Sequence, residues 1–180
     1  MQEKLLQTSR IYVTRFEQED LPEFHEMESD PEVMRFTSSG QPYDFTSNQS
    51  RLSAIIQSYN LAHPILEVFA VKTIDLGNLI GSVALEINKD GKHEIGYRLL
   101  RKFWGLGFGQ EMADYWIEYL FLVRKTPILE AYAFVDNKAS VRILDRSILQ
   151  LKSEFFNESY DLWDRYYALS LEEFLAKRSV

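Results

Sequence analysis

Glu94-Ile95-Gly96-Tyr97-Arg98-Leu99, followed after three residues by Phe103-Trp104-Gly105-Leu106-Gly107-Phe108-Gly109-Gln110-Glu111, is the stretch on which the reading of this chain turns. A β-prone run leads into three glycines at alternate positions, and beyond them Met112, Trp116, Tyr119 and Leu120 share one helical face. A strand therefore passes through a glycine-rich turn into a helix, expected from about Gly109 to Phe121. Such glycines leave backbone N–H groups open to close approach, and the helix start aims its positive end at the same spot. A phosphate or pyrophosphate suits that turn; a tight turn with no ligand is the alternative. Spacing removes other phosphate loops, since Gln110 stands where the third glycine of the dinucleotide fingerprint belongs and no Gly-Lys-Ser/Thr follows. The His-Arg-Asp and Asp-Phe-Gly elements of kinases are also absent.

Outward from the turn, Glu67 to Lys72, Leu79 to Asn88 and His93 to Leu100 read as an antiparallel meander, joined at Asp75 to Asn78 and at Asp90-Gly91. Downstream come a strand from Ile128 to Val135 and a helix carrying Val141, Leu144 and Ile148, capped by Asp136 or Asn137. Leu151 to Phe156 and Trp163 to Leu169 read as closing strands. Upstream, Arg10 to Phe16 reads as a strand, Glu19 to Met27 and Asn48 to Tyr59 as helices, and Asp30, Pro31 and Thr37 to Ser50 as loop. The fold class is mixed α/β: a mostly antiparallel twisted sheet, neither purely parallel nor purely antiparallel, with flanking helices. With 180 residues and no repeat or linker, a single domain, 1–180, is expected.

The chain has no cysteine, which excludes disulfides, thiolate catalysis and thiolate metal sites. His25, His63 and His93 are scattered without ligand spacing, so no metal is expected. A formal charge of −7 argues against nucleic acid as a partner and suits a cationic one, such as an amine. The polar start and the lack of a spanning apolar run point to no membrane association and a cytoplasmic location. Nothing in the sequence sets an oligomeric state, and a homodimer is allowed.

The quoted stretch resembles the acyl-CoA motif of the GNAT superfamily of N-acetyltransferases, closest to the branch that includes the ribosomal-protein N-terminal acetyltransferases. Ser9-Arg10-Ile11, Ser29-Asp30-Pro31-Glu32-Val33-Met34, Phe69-Ala70-Val71, Leu79-Ile80-Gly81-Ser82 and Asn137-Lys138-Ala139-Ser140-Val141-Arg142-Ile143-Leu144 match that branch too, so the resemblance spans nearly the whole chain. It implies acetyl-CoA as co-substrate, held by Leu99, Leu100, Trp104, Gly105, Leu106, Gly107, Phe108, Gly109, Asn137 and Ser140. The chain departs from the pattern in three places: Trp104 replaces its first Gln/Arg, Arg101 stands at a usual proline, and Asp145-Arg146-Ser147-Ile148-Leu149 replaces Glu-Lys-Leu-Gly-Phe.

Acetyl transfer to an amine needs a neutral nucleophile, donors for the acyl oxygen and a proton for the leaving thiolate. Glu94 is the expected base, with Glu86 across the hairpin second; either is otherwise a solvated strand residue. The resemblance places the oxyanion donors at the N–H groups near Leu99 and Leu100. The family's thiolate-protonating tyrosine falls on Leu144, leaving Ser140 as the expected acid and Asn137 for the pantetheine arm; Tyr160, Tyr166 and Tyr167 are further donors. Without that role Asn137 is a helix cap and Ser140 a first-turn polar residue. Phe36, Tyr43 and Phe45 either wall the acceptor cleft or anchor the loop. The expected acceptor is a peptide or protein α-amine. The alternatives are a small amine (polyamine, amino acid or aminoglycoside) and a non-catalytic acyl-CoA-binding module.

Overall fold

The computed structural model describes residues 3–88 and 90–178. Eight strands form one sheet in the order β1-β2-β3-β4-β5-β6-β8-β7. They are β1 Lys4–Gln7, β2 Ile11–Thr14, β3 Leu66–Thr73, β4 Leu79–Ile87, β5 His93–Leu99, β6 Ile128–Phe134, β7 Gln150–Asn157 and β8 Leu162–Ser170. All neighbouring pairs are antiparallel except β5–β6. A parallel pair needs a long crossover, which α4 (Phe108–Leu122) supplies after a 3-10 turn at Arg101–Phe103. The mixed sheet is as expected.

Helices cover both faces. Trp116 and Met112 of α4 pack on Val83, Leu85, Ile95 and Leu129, joined by Leu144 of α5 (Lys138–Arg146) and Phe174 of α6 (Leu171–Arg178). On the other face Phe24 and Met27 of α1 (Leu21–Ser29), Val33 of the short α2 (Pro31–Met34) and Leu52 of α3 (Phe45–Ser58) pack on Ala70, Leu79 and Leu100. The sheet thus has a core on each side, as a strand-helix-strand unit set into a meander requires.

Several expectations need correction. The N-terminal segment contributes β1, whose half-buried Leu5 and Leu6 are too short a signal to stand out from polar neighbours. The Thr37 to Ser50 loop ends at Asp44, whose carboxylate accepts from Ser47 N at 2.7 Å and starts α3 three residues before Asn48. Asp30 likewise caps α2 through Glu32 N, at 2.8 Å. Helix α4 starts at Phe108 rather than Gly109, because Gly107, at φ +83°, is its cap. Helix α6 follows β8, beyond the last element expected.

Candidate active site

Strands β5 and β6 pair only at His93↔Leu129 and Glu94↔Glu130, and beyond that point they diverge into a wedge. Directly paired residues share a sheet face. Glu94, Gly96 and Arg98 therefore lie on the face of α1, where Arg98 meets Glu28, while Ile95 and Tyr97 lie on the face of α4. Register extends the Glu94 face to Glu86 on β4, to Glu130, Tyr132 and Phe134 on β6, and to Asp164 and Tyr166 on β8. Phe36 and Tyr160 pack on Phe134, at 6.3 and 5.2 Å between ring centroids, and Tyr132 stacks on Tyr166 at 5.1 Å. The result is an acidic and aromatic trough beside the closed end of the wedge. Phe36 walls it. Tyr43 instead lies under the Arg51 guanidinium and Phe45 against His25, so both are anchors of α3.

Glu94 is half-buried. Burial first, and then the carboxylates of Glu86, Glu130 and Asp164, push its pKa from the ordinary 4.5 up to about 7. Glu86, its partner across the hairpin, is exposed.

The wedge is lined by strand-edge groups. Leu100 donates its N–H to Ile80 O at 2.8 Å, so antiparallel alternation turns the N–H of Leu99 away from β4 and into the wedge. Leu99 thus suits the oxyanion donor, whereas the Leu100 N–H expected beside it is engaged with β4. The Leu99 carbonyl accepts from Trp104 Nε1 at 2.9 Å, which gives the non-consensus Trp104 a fastening role.

The glycine turn closes the open end. Gly105 and Gly107 have φ of +75° and +83°, a region that side chains resist. The N–H groups of Phe108, Gly109 and Gln110 form the first turn of α4 ahead of the Glu111 N to Gly107 O bond, and Gly107 offers no capping side chain. Gly109 lets α5 approach, since a Cβ there would stand 2.9 Å from Ile143 Cδ1. Arg10 pins the loop: Nη1 donates to Leu106 O at 3.1 Å, Nε to Glu111 Oε2 at 2.7 Å, and the guanidinium lies 4.4 Å from the Phe108 ring centroid. A bare helix start behind two left-handed glycines fits a pyrophosphate.

Across the wedge, Asn137 caps α5 by accepting Ser140 N at 3.2 Å through its carbonyl, which is the bland reading of that residue; its amide NH2 is not part of the cap. Leu144 is buried in the core. What sequence reading missed is Tyr97, whose hydroxyl lies 2.9 Å from Ser140 Oγ. Burial pushes its pKa up, so it stays a neutral phenol. Strand alternation held the clue, because Tyr97 is three residues from Glu94 and must face the other helix layer. Of the remaining donors, Tyr166 bonds to Glu130 and Tyr167 to Asp145, at 2.7 Å for the latter, while Tyr160 packs on Phe134. The altered stretch after α5 turns at Ser147, whose Oγ donates to Leu144 O and accepts from Leu149 N. Arg101, at the usual proline, begins the 3-10 turn.

A family model described as an acetyltransferase (GNAT) domain matches residues 10–147. The chain belongs to the GNAT acetyltransferases. It is 27% identical over 142 residues to an uncharacterized N-acetyltransferase, p20, of Bacillus licheniformis, covering 78% of this chain and 79% of that one. A GNAT-family acetyltransferase from Bacillus anthracis superposes with a TM-score of 0.82 at 21% identity, covering 93% of this chain and 99% of the other. RimL, a ribosomal L7/L12 α-N-protein acetyltransferase solved with coenzyme A, gives 0.79 at 14% identity, covering 93% and 98%. Spermidine N-acetyltransferase from Vibrio cholerae, solved with CoA and spermine, gives 0.75 at 19% identity, covering 93% and 99%. As a GNAT N-acetyltransferase this protein is an enzyme that takes acetyl-CoA as donor.

Proposed function

We propose that the protein acetylates a primary amine that enters as a cation along the acidic, aromatic trough and loses its proton to Glu94. Acetyl-CoA supplies an activated acyl group; its pyrophosphate rests on the turn from Leu106 to Gly109 and on the N–H groups that open α4. Asn137 reaches the pantetheine arm, Leu99 N–H meets the acyl oxygen, and Ser140 donates to the departing sulfur. The observation that carries this reading is Glu94 itself, a half-buried carboxylate with a pKa of about 7 at the closed end of the wedge. A base near neutrality can take the ammonium proton and still be regenerated.

Two acceptor classes fit this chemistry, a peptide or protein α-amine and a small amine. The carboxylates Glu86 and Glu94, set among Tyr132, Phe134 and Tyr160 with the buried Asp164 adding negative charge behind them, favour an acceptor with more than one positive charge, as in a polyamine. The test is thiol release from acetyl-CoA against a panel of free-N-terminal peptides, polyamines, amino acids and aminoglycosides. Saturable release with one class identifies the acceptor. CoA binding by calorimetry with no release from any amine would leave only a binding module.

A further inference from the structure

Glu130 is a carboxylate that no substrate reaches. It is 1% exposed, and both of its oxygens are occupied. Oε1 receives Lys92 Nζ at 3.0 Å and the Tyr166 hydroxyl; Oε2 receives Asn88 Nδ2 at 3.3 Å and the Tyr132 hydroxyl at 3.5 Å. All four partners are donors, an arrangement that suits the anion. A neutral side chain would fill the same place without the desolvation of a charge, so the charge needs a reason beyond packing.

Its position gives one. Glu130 is the register partner of Glu94 at the last pair before β5 and β6 diverge, on the same face of the sheet, where side chains of neighbouring strands stand about 5 Å apart. Its partners come from every element around that point. Asn88 and Lys92 flank the β4–β5 hairpin, where Asn88 Oδ1 also holds the N–H groups of Asp90 and Lys92 at 3.0 Å each; Tyr132 is on β6 and Tyr166 on β8.

We propose that Glu130 is a positioning residue: a negative charge locked in place by Lys92, Asn88, Tyr132 and Tyr166 that sets how tightly Glu94 holds its proton. The other charged groups on this face include Glu86, Asp164 and Arg98, with the Lys72–Asp20 pair further off on β3. Glu86 is exposed, so water screens it; Asp164 stands opposite Phe134, further along β6; Arg98 is tied to Glu28. Glu130 is both adjacent and shielded from solvent, where a charge acts most strongly on its neighbour. The raised pKa of Glu94 has Glu130 among its causes, after burial and Glu86.

The coupling can be measured without turnover; only its catalytic consequence rests on reading Glu94 as the base. Carboxyl 13C resonances of Glu-labelled protein are titrated, with Glu94 assigned by its loss in Glu94→Gln. Glu130→Gln keeps the shape and removes the charge, and should lower the Glu94 midpoint by roughly one pH unit. Lys92→Met, at a partly exposed side chain, should raise it by leaving Glu130 uncompensated. The acid limb of kcat/KM should follow in both variants. An unmoved midpoint in folded Glu130→Gln overturns the proposal, and so does an unmoved midpoint in Lys92→Met where the first variant does not fold. A midpoint that moves while the acid limb stays fixed upholds the coupling and removes Glu94 as the base.

Discussion

At the scale of single residues, the proposed base Glu94 and the tyrosine that bonds the proposed acid Ser140 sit on opposite faces of β5. Glu94 faces the trough, whereas Tyr97 faces α5 and meets Ser140. Glu94→Gln should lower kcat by about two orders of magnitude while leaving CoA affinity as it was, because a base acts on the amine and not on the cofactor. In the wild type, activity should rise through pH 7, where Glu94 loses its proton, and that limb should vanish in the variant. On the other face, a buried phenol must donate somewhere. Its hydroxyl faces both Ser140 Oγ, at 2.9 Å, and Ser140 O, at 3.4 Å; when it donates to Oγ, the serine's own proton is free to turn into the wedge. Ser140→Ala should lower kcat by about tenfold or more without weakening CoA binding. Tyr97→Phe should lower it less, and the double variant no further than Ser140→Ala alone. Strict additivity in that cycle would mean that the two hydroxyls act separately.

Among the elements, the turn into α4 is the proposed cofactor cradle, and what it offers is backbone shape. At Gly107 a Cβ would meet only Arg10 Nη2, at 3.5 Å, so the obstacle to a side chain is the φ of +83° and not space. Gly107→Val should therefore fold, at a cost of about 1–2 kcal/mol, and lose CoA binding as the N–H groups turn away. Gly77→Ala, at φ +69° in the β3–β4 hairpin, carries a similar strain far from the turn and should bind CoA normally. Calorimetry on the two variants separates strain from loss of the cradle, and equal affinities would reassign the turn.

For the molecule as a whole, placing Glu94 in the sheet costs stability above neutral pH. Its pKa is about 7 in the fold against an ordinary 4.5, so the native state binds the proton more tightly than the unfolded chain. The associated stability is fully present below about pH 4.5 and is lost as pH rises towards 7. Glu94→Gln carries no such penalty. It should melt at a higher temperature than the wild type at pH 8 and at nearly the same temperature at pH 4.5, so equal melting temperatures at pH 8 would mean that Glu94 is not strained by its surroundings. The same variant would thus lose turnover and gain stability, the pairing expected where a group is held against its preferred state.

By itself the amino-acid sequence determined what is local. Alternation in β3, β4 and β5, the three spaced glycines and the apolar stripe of α4 depend on neighbours a few residues apart, and so does the family's motif; all are legible in the sequence alone. Glu94 and Ser140 were legible as candidates for the same reason, being fixed by their distance from that motif. Tertiary structure alone decided whatever depends on distant strands coming side by side. The parallel meeting of β5 with β6 brings Glu130 against Glu94, 36 residues away in sequence; the crossover through α4 brings Ser140 to Tyr97, 43 residues away. Pairing with β4 points the N–H of Leu99, rather than that of Leu100, into the wedge that the divergence of β5 and β6 leaves open. Arg10, about a hundred residues from Leu106, reaches the glycine turn only once β2 has joined the sheet and α4 has folded back over it. Such pairings depend on register and on the faces two strands present to each other, and a residue's own neighbours in the chain carry no record of them.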